Sequence, residues 1–311
     1  MLPTNLLPTN FPLNNGGSIP AIGLGTFGPK ESLKEIARSA IIDYGYRLID
    51  TARFYQNEEY LGEAIQSVLK EGKIKREDLF ITTKISNDEK GKGEIEPKLR
   101  ESLKKLQLDY VDLLLIHWPL GATDNETKKI TQTPLYQTWA EFEECCNKGL
   151  CKSIGVSNFG VQLLLDMFTY CKIRPAVNQI EIHPYLTQED LVKFCQDQKI
   201  VVQAYSPLGS FGTKDLFWRP WKENILEDKL LKELAEKYKK TPGQIALNWG
   251  LRRNYVIIPK TERKERLEEN MKAGSFVMEE EDYAKISKLN KNLRCIDTKY
   301  LDIAMRIPIF C

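Results

Sequence analysis

Four residues of this 311-residue chain have the types that proton chemistry needs: Asp50, Tyr55, Lys84 and His117. A phenol has an ordinary pKa of about 10 and is a poor acid at neutral pH. An ammonium about 4 Å away would attract a phenolate by ~4 kcal/mol at an effective dielectric near 20. One pH unit is worth ~1.4 kcal/mol, so such a neighbour makes a phenol markedly more acidic. If Lys84 were that cation, the expectation would be a Tyr55 phenol of lowered pKa. A carboxylate such as Asp50 could keep such an ammonium in place and protonated. An imidazole such as His117 could hydrogen-bond and orient a substrate oxygen, or share in proton delivery at low pH.

These groups can act together only if the fold brings them to one rim. Eight short apolar runs punctuate the chain, at residues 21–26, 47–50, 79–83, 111–117, 153–156, 176–182, 201–205 and 256–259. Their length and β-branched content predict strands buried on both faces. Amphipathic stretches lie between them. Ser32 is expected to cap a helix with Glu35 as its capping-box partner, and Leu33, Ile36, Ala37, Ala40 and Ile41 follow one stripe. Ile95, Leu99, Leu103 and Leu106 repeat the pattern. Thr241, Pro242 and Gln244 supply an N-cap, a first-turn proline and a capping-box glutamine. Helical stretches at 229–239 and 242–252 separate the last two runs, and another covers 279–289. The echo LPTNL/LPTNF reads as a loose tail over about residues 1–10, leading into a hairpin at Asn14, Asn15, Gly16 and Gly17.

Strands alternating with helices imply parallel pairing, and the count of eight favours a (β/α)8 TIM barrel. The expectation is one domain over 1–311, with an N-terminal hairpin, extra helices and a C-terminal loop. The connections at 120–133 and 209–227 are long enough to be active-site loops. Catalytic groups of such barrels stand where strands end. Asp50 ends the second run, with Tyr55 in the loop after it. The third strand ends in Lys84 and the fourth in His117. Ser157 and Asn158 follow the fifth, Gln179 lies in the sixth, Tyr205 closes the seventh and Lys260 follows the eighth. Each alone has a plainer reading, as a turn cap, a structural histidine or a solvated lysine. Their joint placement on one rim is what points to a site.

Composition narrows the function classes. Apolar residues make up 42% and charged residues 28%, with a net charge of +2. That is an ordinary globular balance, with no global pull toward nucleic acid or an anionic membrane. No apolar run approaches the ~18 residues of a membrane span, and no secretory signal is read at the N-terminus. Seven cysteines are scattered at 145, 146, 151, 171, 195, 295 and 311 without a C-x-x-C pair, and there are two histidines. Neither a disulfide scaffold nor a metal site is expected, and a reducing cytoplasmic compartment fits.

One motif points elsewhere. Gly23, Gly25 and Gly28 form G-x-G-x-x-G, the phosphate-binding turn of an open dinucleotide-binding sheet. The plainer reading is that these glycines shape the first barrel strand and its turn. A short-chain dehydrogenase would also need a tyrosine with a lysine four residues later, and none of the thirteen tyrosines has one.

Six longer motifs carry a resemblance: GYRLIDTARFYQNE at 45–58, LDYVDLLLIHWP at 108–119, GVSNF at 155–159, NQIEIHPY at 178–185, AYSPLGS at 204–210, and IPK at 258–260 followed by Arg266, Glu269 and Asn270. In this order they resemble the aldo-keto reductase family, from about residue 11 to 292. The resemblance implies hydride transfer from NADPH to an aldehyde, aldose or ketone, with Tyr55 as general acid and Asp50, Lys84 and His117 completing the catalytic set. It implies that Tyr205 stacks on the nicotinamide, that Ser157, Asn158 and Gln179 bind its carboxamide, and that Thr26 also contacts the cofactor. Ser206, Leu208 and Ser210 would line the pyrophosphate. Lys260, Thr261 and Arg266 would hold the 2′-phosphate, and Glu269 with Asn270 would touch the adenine. Two cations at a helix start suit a phosphate. The plainer reading is a charged helix face, with Glu262 and Arg266 paired four residues apart.

Phe27, Phe54 and Trp118 would line the substrate pocket. Phe27 stands where many members carry Trp, and Ser86 replaces a Trp common after the catalytic lysine. Residues 211–221, with Phe211, Phe217, Trp218 and Trp221, would close over the site, and the tail 295–311 would form its third wall. His183 is read as structural, and Cys295 receives no role. A monomer is expected, with a dimer left open. The rival classes are a cofactor-binding barrel without turnover and the open-sheet dehydrogenase.

Overall fold

A computed structural model describes residues 7–28, 30–120, 133–210, 222–298 and 309–310. Most of the two long connections, residues 211–221 and most of the tail lie outside the described residues. Two short strands, β1 (Asn10–Pro12) and β2 (Ser18–Pro20), pair antiparallel. Gly16 makes their turn at φ +87°, a conformation that favours glycine. The hairpin buries Phe11, Leu13 and Ile19. Asn14 Nδ2 donates to Pro175 O at 2.9 Å and Asn15 Nδ2 to Ser153 Oγ at 2.9 Å, so the hairpin docks where strands begin.

Eight strands follow: β3 (Gly23–Gly25), β4 (Leu48–Asp50), β5 (Phe80–Ile85), β6 (Val111–Ile116), β7 (Cys151–Ser157), β8 (Val177–Glu181), β9 (Val201–Tyr205) and β10 (Val256–Ile257). They lie in chain order, each parallel to the next. Bridges from Ile22 to Ile257 and from Gly25 to Lys260 close the ring. Every residue of β5 and β6 is buried, as continuous apolar runs require when helices cover the outside.

The helices are α1 (Glu31–Ile42), α2 (Glu58–Lys70), α3 (Ile95–Leu106), α4 (Leu135–Asn147), α5 (Val161–Tyr170), α6 (Glu189–Asp197), α7 (Lys229–Tyr238), α8 (Pro242–Arg252), α9 (Lys264–Met271) and α10 (Glu280–Ser287). The expected barrel, hairpin and helical stripes are all present. The α1 stripe of Leu33, Ile36, Ala37, Ala40 and Ile41 is buried. The α1 start differs from expectation: Lys30 occupies the N-cap without a side-chain bond, and Ser32 lies inside the first turn. The first and last barrel strands are also shorter than their apolar runs, because they pair through bridges rather than long ladders.

The G-x-G-x-x-G glycines serve the barrel. A Cβ on Gly25 would lie 2.8 Å from the Ile258 carbonyl oxygen, so this position lets β3 approach the strand that closes the ring. The open-sheet reading is overturned by this closure.

The capping box at α8 is formed as expected: Thr241 Oγ1 accepts from Gln244 N at 3.1 Å, and Gln244 Oε1 accepts from Thr241 N at 3.1 Å. Thr241→Ala should cost about 1 kcal/mol of stability by urea unfolding, and Thr241→Ser should recover most of it.

Candidate active site

Lys84 is the hub of the rim. It is the next-to-last residue of β5, and its side chain is fully buried. Its Nζ donates to Asp50 Oδ1 at 2.5 Å, to Thr51 O at 2.9 Å and to Tyr55 Oη at 3.4 Å. An ammonium has three donors, and all three are used. Burial alone would lower the Lys84 pKa; the charges of Asp50 and Tyr55 outweigh it and hold the ammonium above its usual range. Burial pushes the Asp50 carboxyl up, while Lys84 and a 2.7 Å bond from Gln179 Nε2 pull the other way.

Tyr55 departs from expectation. Burial pushes its phenol above the ordinary value, Lys84 pulls it down, and Asp50 pushes it up again. The anticipated acidification is absent because burial of the phenol outweighs the pull of Lys84, and Asp50, bound to the same ammonium, adds to the rise. The raised pKa keeps the phenol protonated.

The turn that carries Tyr55 is pinned by a residue that the sequence reading did not single out. Arg53 opens the 3-10 turn Arg53–Tyr55. Its Nε donates to both Glu89 oxygens at 2.7 and 2.8 Å, and its other nitrogens reach Lys98 O and Glu101. This guanidinium, its side chain largely buried, ties the turn to the 3-10 turn and helix beyond β5, and no linear motif announces those partners.

Aromatic rings surround the phenol. The Phe27 ring meets Tyr55 edge-on at 5.1 Å between centroids, and His117 does so at 5.9 Å. Phe54 packs edge-on to His117 at 6.3 Å, and Trp118 stacks on it at 6.3 Å. Phe310 of the tail reaches Trp118 at 6.2 Å. Burial, then the charges of Lys84 and Lys90, hold the His117 imidazole well below its usual pKa, so it is neutral near pH 7.

The other expected residues divide into two groups. Ser157, Asn158, Gln179 and Tyr205 form one network beside the hub. Tyr205 Oη donates to Asn158 Oδ1 at 2.8 Å, Asn158 Nδ2 to His117 O at 3.0 Å, and Ser157 Oγ to Gln179 O at 2.8 Å. Thr26 Oγ1 donates to Asp50 O at 3.0 Å, which ties it to the hub. Ser206 and Ser210 share a 2.7 Å bond in the turn after β9, and Leu208 lies half-buried between them.

The second group lies around the start of α9. Lys260 is exposed and ion-paired with Glu262, so Glu262 faces Lys260 and not the Arg266 of the charged-face reading. Thr261 Oγ1 accepts from Arg263 N at 3.0 Å, and Arg266 is exposed on the first turns of α9. Glu269 accepts a bond from Thr241, and buried Asn270 bonds Tyr46, so both also have structural partners.

His183, read as structural, is buried with Nε2 2.9 Å from Glu181 Oε1. Glu181 accepts the backbone N–H of Cys295 at 2.5 Å and of Ile296 at 2.8 Å, anchoring the tail. Cys295 thus gains a place, with Sγ 3.6 Å from His183 Nε2.

With this geometry described, sequence comparison is decisive. The profile of the aldo/keto reductase family matches residues 21–291. The chain belongs to the aldo/keto reductase family. It is 40% identical to aldo-keto reductase family 1 member A1 of Gallus gallus, over 91% of this chain and 89% of that protein. It is 40% identical to aldose reductase C of Dictyostelium discoideum, over 94% and 92%. It is 42% identical to aldo-keto reductase family 1 member C15 of Rattus norvegicus, over 91% of each. The family comprises oxidoreductases that use nicotinamide cofactors. The donor set here fits that group: Ser157, Asn158 and Gln179 offer hydroxyl and amide groups suited to a carboxamide, and Lys260 and Arg266 offer cations suited to phosphate.

Lys90 is a further feature, at a position that no motif marks. It is 1% exposed, and its Nζ donates to Trp118 O at 2.6 Å and to Leu120 O. The amine therefore clamps the backbone that carries the Trp118 wall. Burial lowers it from 10.5 to about 7, with Asp88 opposing. A neutral amine still has two N–H groups for two carbonyls. Between pH 7 and 10.5 the unfolded chain binds a proton that the folded chain lacks, so Lys90 makes stability rise with pH across that window. Urea unfolding at pH 7 and pH 9.5 should show Lys90→Met losing a rise of up to ~1.4 kcal/mol per pH unit relative to the parent.

Proposed function

We propose that this aldo/keto reductase reduces aldehydes, and aldoses or ketones of similar shape, to alcohols with NADPH, and that Tyr55 is the proton donor. The observation that carries the reading is the Lys84 ammonium bonded at once to Asp50 and Tyr55, with neutral His117 alongside. Relatives bearing the name aldose reductase support the substrate class. When bound, the reduced nicotinamide supplies a hydride to the carbonyl carbon.

This chain's residues handle the oxygen. The carbonyl oxygen sits between Tyr55 Oη and the His117 imidazole. Neutral His117 orients it through an N–H donor and places no competing charge there. As negative charge develops on the oxygen, it becomes a far stronger base than a phenolate, so a Tyr55 of raised pKa is still a competent donor. The proton leaves Oη, and Lys84, 3.4 Å away, stabilises the phenolate left behind. Asp50 keeps Lys84 charged and in register. Phe27, Phe54 and Trp118 form an apolar wall that favours an uncharged substrate body.

Lys260, Thr261 and Arg266 are the proposed clamp for the adenosine phosphate. Glu262 competes within it, because it already pairs with Lys260. We place the enzyme in the cytoplasm, a reading supported by six free thiols among the described residues. No helix among the described residues is long and apolar enough to cross a membrane.

Tyr55→Phe should lower kcat by about 10²–10⁴-fold while NADPH still binds, measured by NADPH oxidation and by fluorescence titration. Turnover kept within threefold would remove Tyr55 from the role. Arg266→Ala should weaken NADPH binding by about 10–100-fold and NADH binding hardly at all, whereas Glu262→Gln should tighten NADPH selectively. Equal effects on both cofactors would end the phosphate-clamp reading.

A further inference from the structure

The turn from α4 into β7 holds two sulfurs together at the barrel end opposite the catalytic rim. Cys146 is in the last turn of α4 and Cys151 is the first residue of β7. Gly149, at φ +73°, reverses the chain between them. Gly149 N donates to Cys146 O at 2.9 Å and Leu150 N to Cys145 O at 3.0 Å, a bonded helix end that fixes the turn. The Cys146 and Cys151 side chains face each other across this turn, close enough for each to shift the other's acidity. Cys146 Sγ also lies 3.8 Å from Lys152 O, beside the start of β7.

We propose that Cys146 and Cys151 are a redox modification site, a dithiol that peroxide converts into an intramolecular disulfide. The two sulfurs are unequal. Cys146 is half-buried and reaches solvent, while Cys151 is 1% exposed, within the core. The neighbouring Cys151 lowers the Cys146 thiol to about 7 against the effect of burial, and Cys151 itself is raised. An accessible, acidic thiol beside a resolving thiol is the arrangement that favours this oxidation. The neighbouring Cys145 is fully buried and pushed up to about 12 by that burial, which keeps it inert.

The chemistry closes without further reagents. The Cys146 thiolate attacks one peroxide oxygen; an S–O bond forms, the O–O bond breaks, and the departing hydroxide takes a proton to become water. Cys146 is then a sulfenic acid. The Cys151 sulfur attacks it; the S–S bond forms, the S–O bond breaks, and hydroxide leaves with the Cys151 proton as the second water. Two thiols lose two electrons in all, and one peroxide becomes two waters. A small-molecule thiol reverses the step by exchange. Resolution by Cys151 keeps Cys146 from oxidation beyond sulfenic acid. The site lies at the beginning of β7, whereas Ser157 ends that strand, so the bond forms away from the rim.

The test treats the full chain with one to a few equivalents of hydrogen peroxide, blocks remaining thiols, digests with trypsin and reads peptides by mass spectrometry. Trypsin cuts after Lys148, so the disulfide would join two peptides, lighter by two hydrogens and separated by dithiothreitol. Cys151→Ser should abolish the link and raise sulfinic acid at Cys146 several-fold. Carbonyl-reducing turnover of the oxidised parent should stay within about twofold. Sulfinic acid at Cys146 of the parent with Cys151 untouched would overturn the proposal. So would a dominant link from either residue to another cysteine, and the parent chain alone decides both.

Discussion

The rim depends on one buried ammonium. Lys84 is enclosed within the barrel, where an unpaired charge would be costly and the group would instead lose its proton. Asp50 prevents that, and the two must be kept together: removing one partner of a buried pair costs ~3–5 kcal/mol because the other is left uncompensated. The strand positions follow from this requirement. Asp50 ends β4, Lys84 lies in the neighbouring β5, and parallel register sets their side chains side by side in the interior. Thr51 O and Tyr55 Oη take the remaining donors, so the turn after β4 is drawn onto the same cation. Gln179 approaches Asp50 from β8, across the barrel, and links the hub to the Ser157–Asn158–Tyr205 network.

That arrangement also explains the acidity of its members. Burial raises the Tyr55 phenol, and a carboxylate strong enough to keep Lys84 charged also offsets the pull of Lys84 on it. The phenol stays protonated, and His117, in a site already positive and dry, stays neutral. In the proposed reaction, such a rim would give up a proton only when a stronger base arises within it. A solvent-exposed ammonium–phenol pair, without the burial found here, would have made the tyrosine more acidic.

Much of this was legible in the sequence. The eight apolar runs became the eight strands, because runs buried on both faces have no polar alternation to misread. The capping box at Thr241 formed as written, since its three positions are local and sufficient. Ser32 did not cap α1, because the helix begins a residue earlier and that residue type fits either place. Asp50, Tyr55, Lys84 and His117 stood at run ends or just beyond them, and the barrel brought them together. Arg53 and Lys90 were invisible for a shared reason. Their partners are backbone carbonyls and carboxylates 28 to 48 residues away, and such bonds leave no spacing to read. The sign of the Tyr55 shift was missed because pairwise attraction is easy to count from a sequence, whereas desolvation needs the enclosing walls.

The ring of strands is weakest at one seam. β3 has three residues and β10 has two, and only isolated bridges, at Ile22 and Gly25, join them. The Gly25 bridge reaches Lys260, so the backbone that fastens the seam also bears a cation of the proposed phosphate clamp. Any anion gripped by Lys260 and α9 would brace this joint from outside, like a buckle across a belt. Occupancy of the clamp and mechanical integrity of the barrel therefore meet in one residue, through its side chain and its backbone.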